Sequence, residues 1–195
     1  MPTLVQVLLN TLGPTAMHEV STRLNADEGA TQRAVSAAIP LIISALGKNA
    51  STSEGAQALS HALEKNHDGS VLRNVNDALA NPAVAADGAA ILRHVLGDKR
   101  QSVEKGLSAA SGIDAASAAQ LLNLLAPLVM GQLGQQKRAG GLNADDIADL
   151  LGGERREAKG LLGGLFDIID ADDDGSIVDD VLNMGSKLGK MFGKN

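Results

Sequence analysis

The residues best placed to do chemistry form one short run, Asp170-x-Asp172-x-Asp174-Gly175-Ser176-Ile177. Calcium needs hard oxygen ligands converging on one point, and alternate positions of a tight loop supply them. In such a loop Asp170, Asp172 and Asp174 fill positions 1, 3 and 5, and Ser176 offers its backbone carbonyl at position 7. Gly175 permits the sharp turn between them, and Ile177 is apolar where these loops tuck a side chain into the core. The pattern departs at position 12, where Val181 stands in place of a bidentate Glu. Asp180, or Asp179 beside it, must then complete the shell with altered geometry and water. Weak calcium binding is the expectation, with a dissociation constant on the order of 10⁻⁴–10⁻³ M. The competing expectation for the same residues is purely local: Ser176 would cap the last helix, Asp179 would complete a capping box, and the other carboxylates would be solvated loop residues, favourable ahead of a helix N-terminus.

An echo of this run lies upstream. Glu64-Lys65-Asn66-His67-Asp68-Gly69-Ser70-Val71 through Val75 aligns without a gap on Asp170 through Val181. Glu64, Asn66 and Asp68 are oxygen donors at the same three positions, but with one carboxylate fewer. Asp68-Gly69-Ser70 is more economically a turn that caps a helix. The four His (His18, His61, His67 and His94) show no metal-ligand or nucleophile spacing, and neither His-Glu-x-x-His nor Gly-x-Ser-x-Gly occurs. His94 is expected to be a hydrogen-bonded packing residue. Gly185-Ser186-Lys187-Leu188-Gly189-Lys190-Met191 is one residue short of a phosphate loop, has Met after the Lys and follows no strand.

Composition removes further classes. The 195 residues contain no Cys, Trp or Tyr and two Phe, so disulfides, thiolate catalysis, Cys-based metal sites and stacking platforms for bases are excluded. Seventeen Lys+Arg against 23 Asp+Glu give a net charge of −6, which opposes nucleic-acid binding. Seven Asp and no basic residue lie between Asp167 and Asp180. The apolar start, Met1 to Leu12, has no Lys or Arg before it and no small-x-small cleavage pattern after it, so a secretory signal is not expected. The longest apolar run is seven residues, Ala37 to Ile43, so no transmembrane segment is expected and the cytoplasm is the default compartment.

The elements that must position these residues are helices. Apolar residues recur at three and four, Ala and Leu abound, and period-2 alternation is missing. Helices are expected near 3–12, 15–24, 28–47, 53–65, 71–79, 85–97, 99–110, 114–137, 144–151, 155–168 and 177–191. Gly47, Gly97 and Gly152 are the expected left-handed C-terminal residues, and Ser51 or Ser53, Asn143 and Ser176 the expected N-caps. Two helices share an anomaly: Ala38-Ile39-Pro40-Leu41 matches Leu125-Ala126-Pro127-Leu128, with the prolines 87 residues apart. A helix-interior Pro costs about 3 kcal/mol, so its recurrence in one apolar setting points to duplication, with units at about 1–97 and 98–195. The last stretch, Ile177 to Phe192, is amphipathic and is expected either to dock on its own core or to meet a partner.

The run Ile39 to Ser70, the segment Asp87-Gly88-Ala89-Ala90-Ile91-Leu92-Arg93-His94-Val95-Leu96-Gly97, Ser108 to Ile113 and the acidic Asp-Gly-Ser near the C-terminus resemble a bacterial domain-of-unknown-function family, number nine hundred and thirty-seven, related to YidB-like proteins. The resemblance implies an all-helical bacterial protein and brings no activity, substrate or catalytic residue. The chain is thus expected to be all-α, a multi-helix globular bundle of two divergent tandem repeats. Its expected role is that of a non-enzymatic interaction or structural protein, self-associating or binding a protein partner, with weak calcium binding at Asp170, Asp172, Asp174, Ser176 and Asp180. The alternatives are an enzyme with dispersed catalytic residues and, less favoured by the charge, a nucleic-acid-binding helical module.

Overall fold

Helix starts in this chain are made by short oxygen-bearing side chains, which accept hydrogen bonds from first-turn amides that have no intrahelical partner. Thr3 and Gln6 form a reciprocal capping box at α1 (Leu4–Leu24). Asp27 caps α2 (Glu28–Asn49), Thr52 caps α3 (Ser53–Lys65) and Asn74 caps α4 (Val75–Ala80), after a 3₁₀ turn at Ser70–Asn74. Asn81 caps α5 (Pro82–Leu96), whose first residue is a Pro that has no amide to satisfy. A short 3₁₀ turn, Gly97–Lys99, leads into α6 (Arg100–Ser111), and Asp114 caps α7 (Ala115–Gly140). Asn143 accepts from the amides of Asp145 and Asp146 to start α8 (Ala144–Leu162). The computed structural model describes residues 2–162 together with Gly164 and Asp167; they form an all-α bundle, and no strand occurs among them.

Four local expectations need correction. Gly13-Pro14 does not divide two helices: α1 runs through it with a kink at Gly13, whose φ of 51° suits a residue without a Cβ. Gly47 lies inside α2 and Gly152 inside α8, and only Gly97 of the three has a positive φ. Gly47 is small for packing instead, since a Cβ there would stand 3.2 Å from the Leu151 carbonyl oxygen. Thr52, not Ser51 or Ser53, caps α3. His94 is exposed, not packed.

The core is built around the two Pro-interrupted helices. From Ala38 to Gly47 in α2 and from Leu124 to Gly134 in α7 every residue is buried. A helix apolar on all sides must be covered on all sides, and α2 packs on α1, α6, α7 and α8 while α7 packs on α1, α3, α5 and α6. Both helices are long and apolar enough to cross a membrane by length and composition, which the run-length reading did not anticipate. Their apolar windows are 72% and 78% buried within the bundle, as core helices are.

The two helix–turn–helix corners correspond closely. Asn25 and Gly112, which end α1 and α6 in the left-handed conformation, are 87 residues apart, as are the caps Asp27 and Asp114 and the prolines Pro40 and Pro127. The corners also hold each other. Ser117 Oγ, at the start of α7, donates to the Leu24 carbonyl at the end of α1 (3.1 Å). Arg33 Nε, in the first turns of α2, donates to the Ser111 carbonyl at the end of α6 (3.1 Å). Leu24 and Ser111 are again 87 apart.

Candidate functional site

The expected ligands Asp170, Asp172, Asp174, Ser176 and Asp180, the cap Ser176 and the amphipathic stretch from Ile177 lie outside the described residues. Their upstream echo is within them, and its oxygens are used structurally. Asp68 accepts from the Ser70 amide (2.9 Å) across Gly69, which takes the left-handed conformation that lets the chain turn. Two cations from the last turns of α7 hold the remaining charge, Arg138 on Asp68 (3.2 Å) and Lys137 on Glu64 (2.9 Å). The Ser70 hydrogen bonds, with Arg138 adding to them, bring the Asp68 carboxyl down to about 2. Lys137 holds the Glu64 carboxyl below its usual range. Among the described residues no three His, Asp or Glu converge as metal ligands.

What the sequence did not disclose is the neighbour of this turn. Residues 66–71 sit against α7 because Gly131 and Gly134 leave room there; a Cβ at Gly134 would overlap the His67 carbonyl oxygen. On the other side, α5 approaches α7 through Gly88, which lies over the Asn123 carbonyl. Pro127 has no amide to give that carbonyl, which is left open to the approach of α5 at Gly88. Between the turn and α5 a cleft of about 240 Å³ opens, with Val71, Val84 and Pro127 as apolar walls and Asn66, His67, Asp68, Ser70 and Asp87 as polar ones. The His67 side chain is 9% exposed, with Nδ1 3.7 Å from Asp87 Oδ2. Burial lowers the pKa of its imidazole, and the Asp87 charge offsets part of that effect. His67 and Asp87 are 20 residues apart on different elements, and no spacing rule joins them. Arg100 locks the far side of α5, donating to the Ala89 carbonyl (3.3 Å), to Asn123 Oδ1 (3.0 Å) and to Glu104 (2.7 Å).

A second cleft, of about 440 Å³, lies between the end of α2 and α8, lined in part by Gly47, Ala50, Ala148 and Gly152. Its charged groups are Arg155, Arg156 and Lys159 against Asp149. Glu154 points away from it, its Oε1 accepting from the Leu4 amide at the start of α1 (2.8 Å).

Fold and clefts thus define a class, an all-α bundle wrapped around two buried, Pro-containing helices with two small clefts at its surface. Residues 6–136, more than half of the chain, match the family described as bacterial protein of unknown function (DUF937), and the chain belongs to that family. No curated protein and no solved structure matches it. The match ends within α7, so α8, which supplies one wall of the second cleft, lies beyond it.

Proposed function

We propose that this chain is a non-enzymatic interaction or structural module that self-associates, built from two copies of a helical unit at about 1–97 and 98–195, and that its C-terminal Asp run binds calcium weakly. What carries this is the use made of charge. Asp27 and Asp114 cap core helices, Glu64 and Asp68 tie the 64–70 segment to α7, and Glu154 closes the start of α1. The Asp114 carboxyl, lowered chiefly by its hydrogen bonds from Ser117, owes its perturbation to a helix start. Meanwhile α5 turns Ala83, Ala86 and Ala90 to solvent at helical spacing, a face that another helix can approach closely. Light scattering behind a sizing column over a hundredfold concentration range is expected to show mass rising with concentration; a constant monomer overturns self-association. Calorimetric titration with calcium is expected to show weak heats that Asp172→Ala with Asp174→Ala abolishes. Identical traces overturn the ion site.

One observation favours the enzyme alternative. A neutral, buried imidazole beside a carboxylate in an apolar-walled cleft is the arrangement from which a general base is made. Fragment binding followed by the ring resonances of His67 tests it. Ligands that shift them in the wild type and not in His67→Gln favour that alternative, and their absence removes its support.

A further inference from the structure

We propose that the cleft between the 66–71 turn and α5 binds small primary alkylamines as their ammonium ions, with Asp87 and His67 holding the nitrogen while Val71, Val84 and Pro127 cover the chain. Among the described residues neither ring nitrogen of His67 has a hydrogen-bond partner, although the side chain is only 9% exposed. A nearly buried imidazole without a protein partner must find one in whatever fills the cleft, water or ligand. The nearest charge, Asp87 Oδ2, is 3.7 Å from Nδ1, too far for a direct hydrogen bond yet close enough for one nitrogen to lie about 3 Å from both. An ammonium has three N–H donors and no acceptor. It can give one to the carboxylate and one to Nδ1 of an imidazole whose proton is on Nε2.

Charge selects the sign of the ligand. Asp68 is matched by Ser70 and Arg138, but Asp87 meets no Lys or Arg among the described residues, and its side chain is 47% exposed. Burial keeps the imidazole of His67 neutral near pH 7, so it does not serve as the counter-charge. Anions are opposed by two carboxylates with no cation in the lining, and neutral alcohols forgo the ion pair. Size selects a short chain: at about 240 Å³ the cleft is smaller than the roughly 300 Å³ at which drug-sized ligands begin to fit. The anchors are fixed from behind. The His67 carbonyl lies against Gly134, and Gly88, next to Asp87, lies over the Asn123 carbonyl, so α7 holds both backbones. Groups positioned before the ligand arrives cost less to order on binding. The assignment rests on neither self-association nor calcium binding, and it asks for capture of the amine without turnover.

The full-length chain, enriched in nitrogen-15 and carbon-13 and kept dilute, is titrated with n-butylamine hydrochloride at constant pH and ionic strength. The His67 ring and the methyls of Val71 and Val84 are expected to shift with a dissociation constant of about a millimolar. Ethylamine should bind more weakly by about fourfold for each methylene removed, the effect of burying one methylene on an apolar wall. Butyrate should leave these resonances unmoved, and 1-butanol should bind about tenfold more weakly for want of a charge-assisted hydrogen bond. Asp87→Asn, at a half-exposed position, should also lose about tenfold, in a chain whose other amide resonances report an intact fold. A backbone-blocked lysine presents the same ammonium from a second source. Tighter binding than butylamine assigns the cleft to a lysine side chain, and weaker binding assigns it to a free amine. No shift at His67, Val71 and Val84, or equal affinity for butylamine and butanol, overturns the proposal without recourse to a variant. So does unchanged affinity in Asp87→Asn. Butylamine recovered unaltered from a long incubation keeps capture apart from the enzyme alternative, and its conversion overturns the reading as a binding site.

Discussion

At the scale of residues, two glycines of one chain should respond oppositely to Ala. A Cβ at Gly134 would meet the His67 backbone, which cannot rotate away, so Gly134→Ala is expected to cost about 1–3 kcal/mol through overpacking. Gly160, on the exposed side of α8 with nothing within 4 Å, should gain about 0.5–1 kcal/mol as Ala from helix propensity alone. Urea denaturation of both variants measures the contrast. Titrating residues give a second one. The lowered pKa of His67 means that the unfolded chain takes a proton which the folded chain resists. Stability is therefore complete above the ordinary value of 6.5 and declines as pH falls below it. Denaturation at pH 7.5 and 5 should show this loss in the wild type and much less of it in His67→Gln. Asp68 works in a lower window: held at about 2 against an ordinary 3.8, it contributes stability above pH 3.8 that disappears as pH approaches 2, and Asp68→Asn should flatten that limb. None of this was written in the sequence as a pattern. The Asp68-Gly69-Ser70 turn was legible because its chemistry is local. The His67–Asp87 cleft was not, because it depends on Gly134 in α7, whose partner is the His67 backbone carbonyl more than sixty residues away.

At the scale of elements, helix existence was legible and helix ends less so. Apolar recurrence and the cap Asn143 act within four residues, which a sequence reader sees, whereas Asn81, which starts α5 at Pro82 and not near the expected 85, was missed. Gly13-Pro14 and Gly47 misled for one physical reason: tertiary packing, not local preference, decides whether a weak helix position stays helical. In α1 the buried stripe Leu4, Leu8, Leu12, Ala16 and Val20 continues across the kink, and keeping it in the core outweighs the break. The corner caps are the strongest local devices, and they recur in register. Asp27 Oδ1 accepts from the Ala30 amide at 2.8 Å and Asp114 Oδ1 from the Ser117 amide at 2.9 Å. Asp27→Ala and Asp114→Ala should each lower stability by about 0.5–2 kcal/mol. Asp114→Ala is expected to cost more, because the Ser117 hydroxyl, 2.6 Å from Asp114 Oδ2 and 3.1 Å from the Leu24 carbonyl, shares its one proton between them and is held at the end of α1 by Asp114. Thermal melts of the two single variants settle the order; a costlier Asp27→Ala would show that the link between corners contributes little.

At the scale of the whole molecule, the question is whether the two units are neighbours or halves of one core. The 87-residue correspondence supports the proposed duplication, and the hydrogen bonds exchanged between corners tie the two proposed units to each other. The most buried part of α2 is covered by α6, α7 and α8, all from the second unit, while α5 of the first unit lies on α7 of the second. Cut at residue 97, the first unit would lose α6, α7 and α8 from around the buried helix α2. A chain of that length has little spare burial to offset the loss, since a domain of about 60 residues already buries only some 60% of its surface. Residues 1–97 expressed alone are therefore expected to unfold without cooperativity and to bind a hydrophobic dye. Co-expression with residues 98–195 should restore a single cooperative transition, because the surfaces that cover α2 arrive from outside. A cooperative melt from residues 1–97 alone would mean that α1 to α5 close their own core, and that the buried faces joining the two halves were added to units already stable without them.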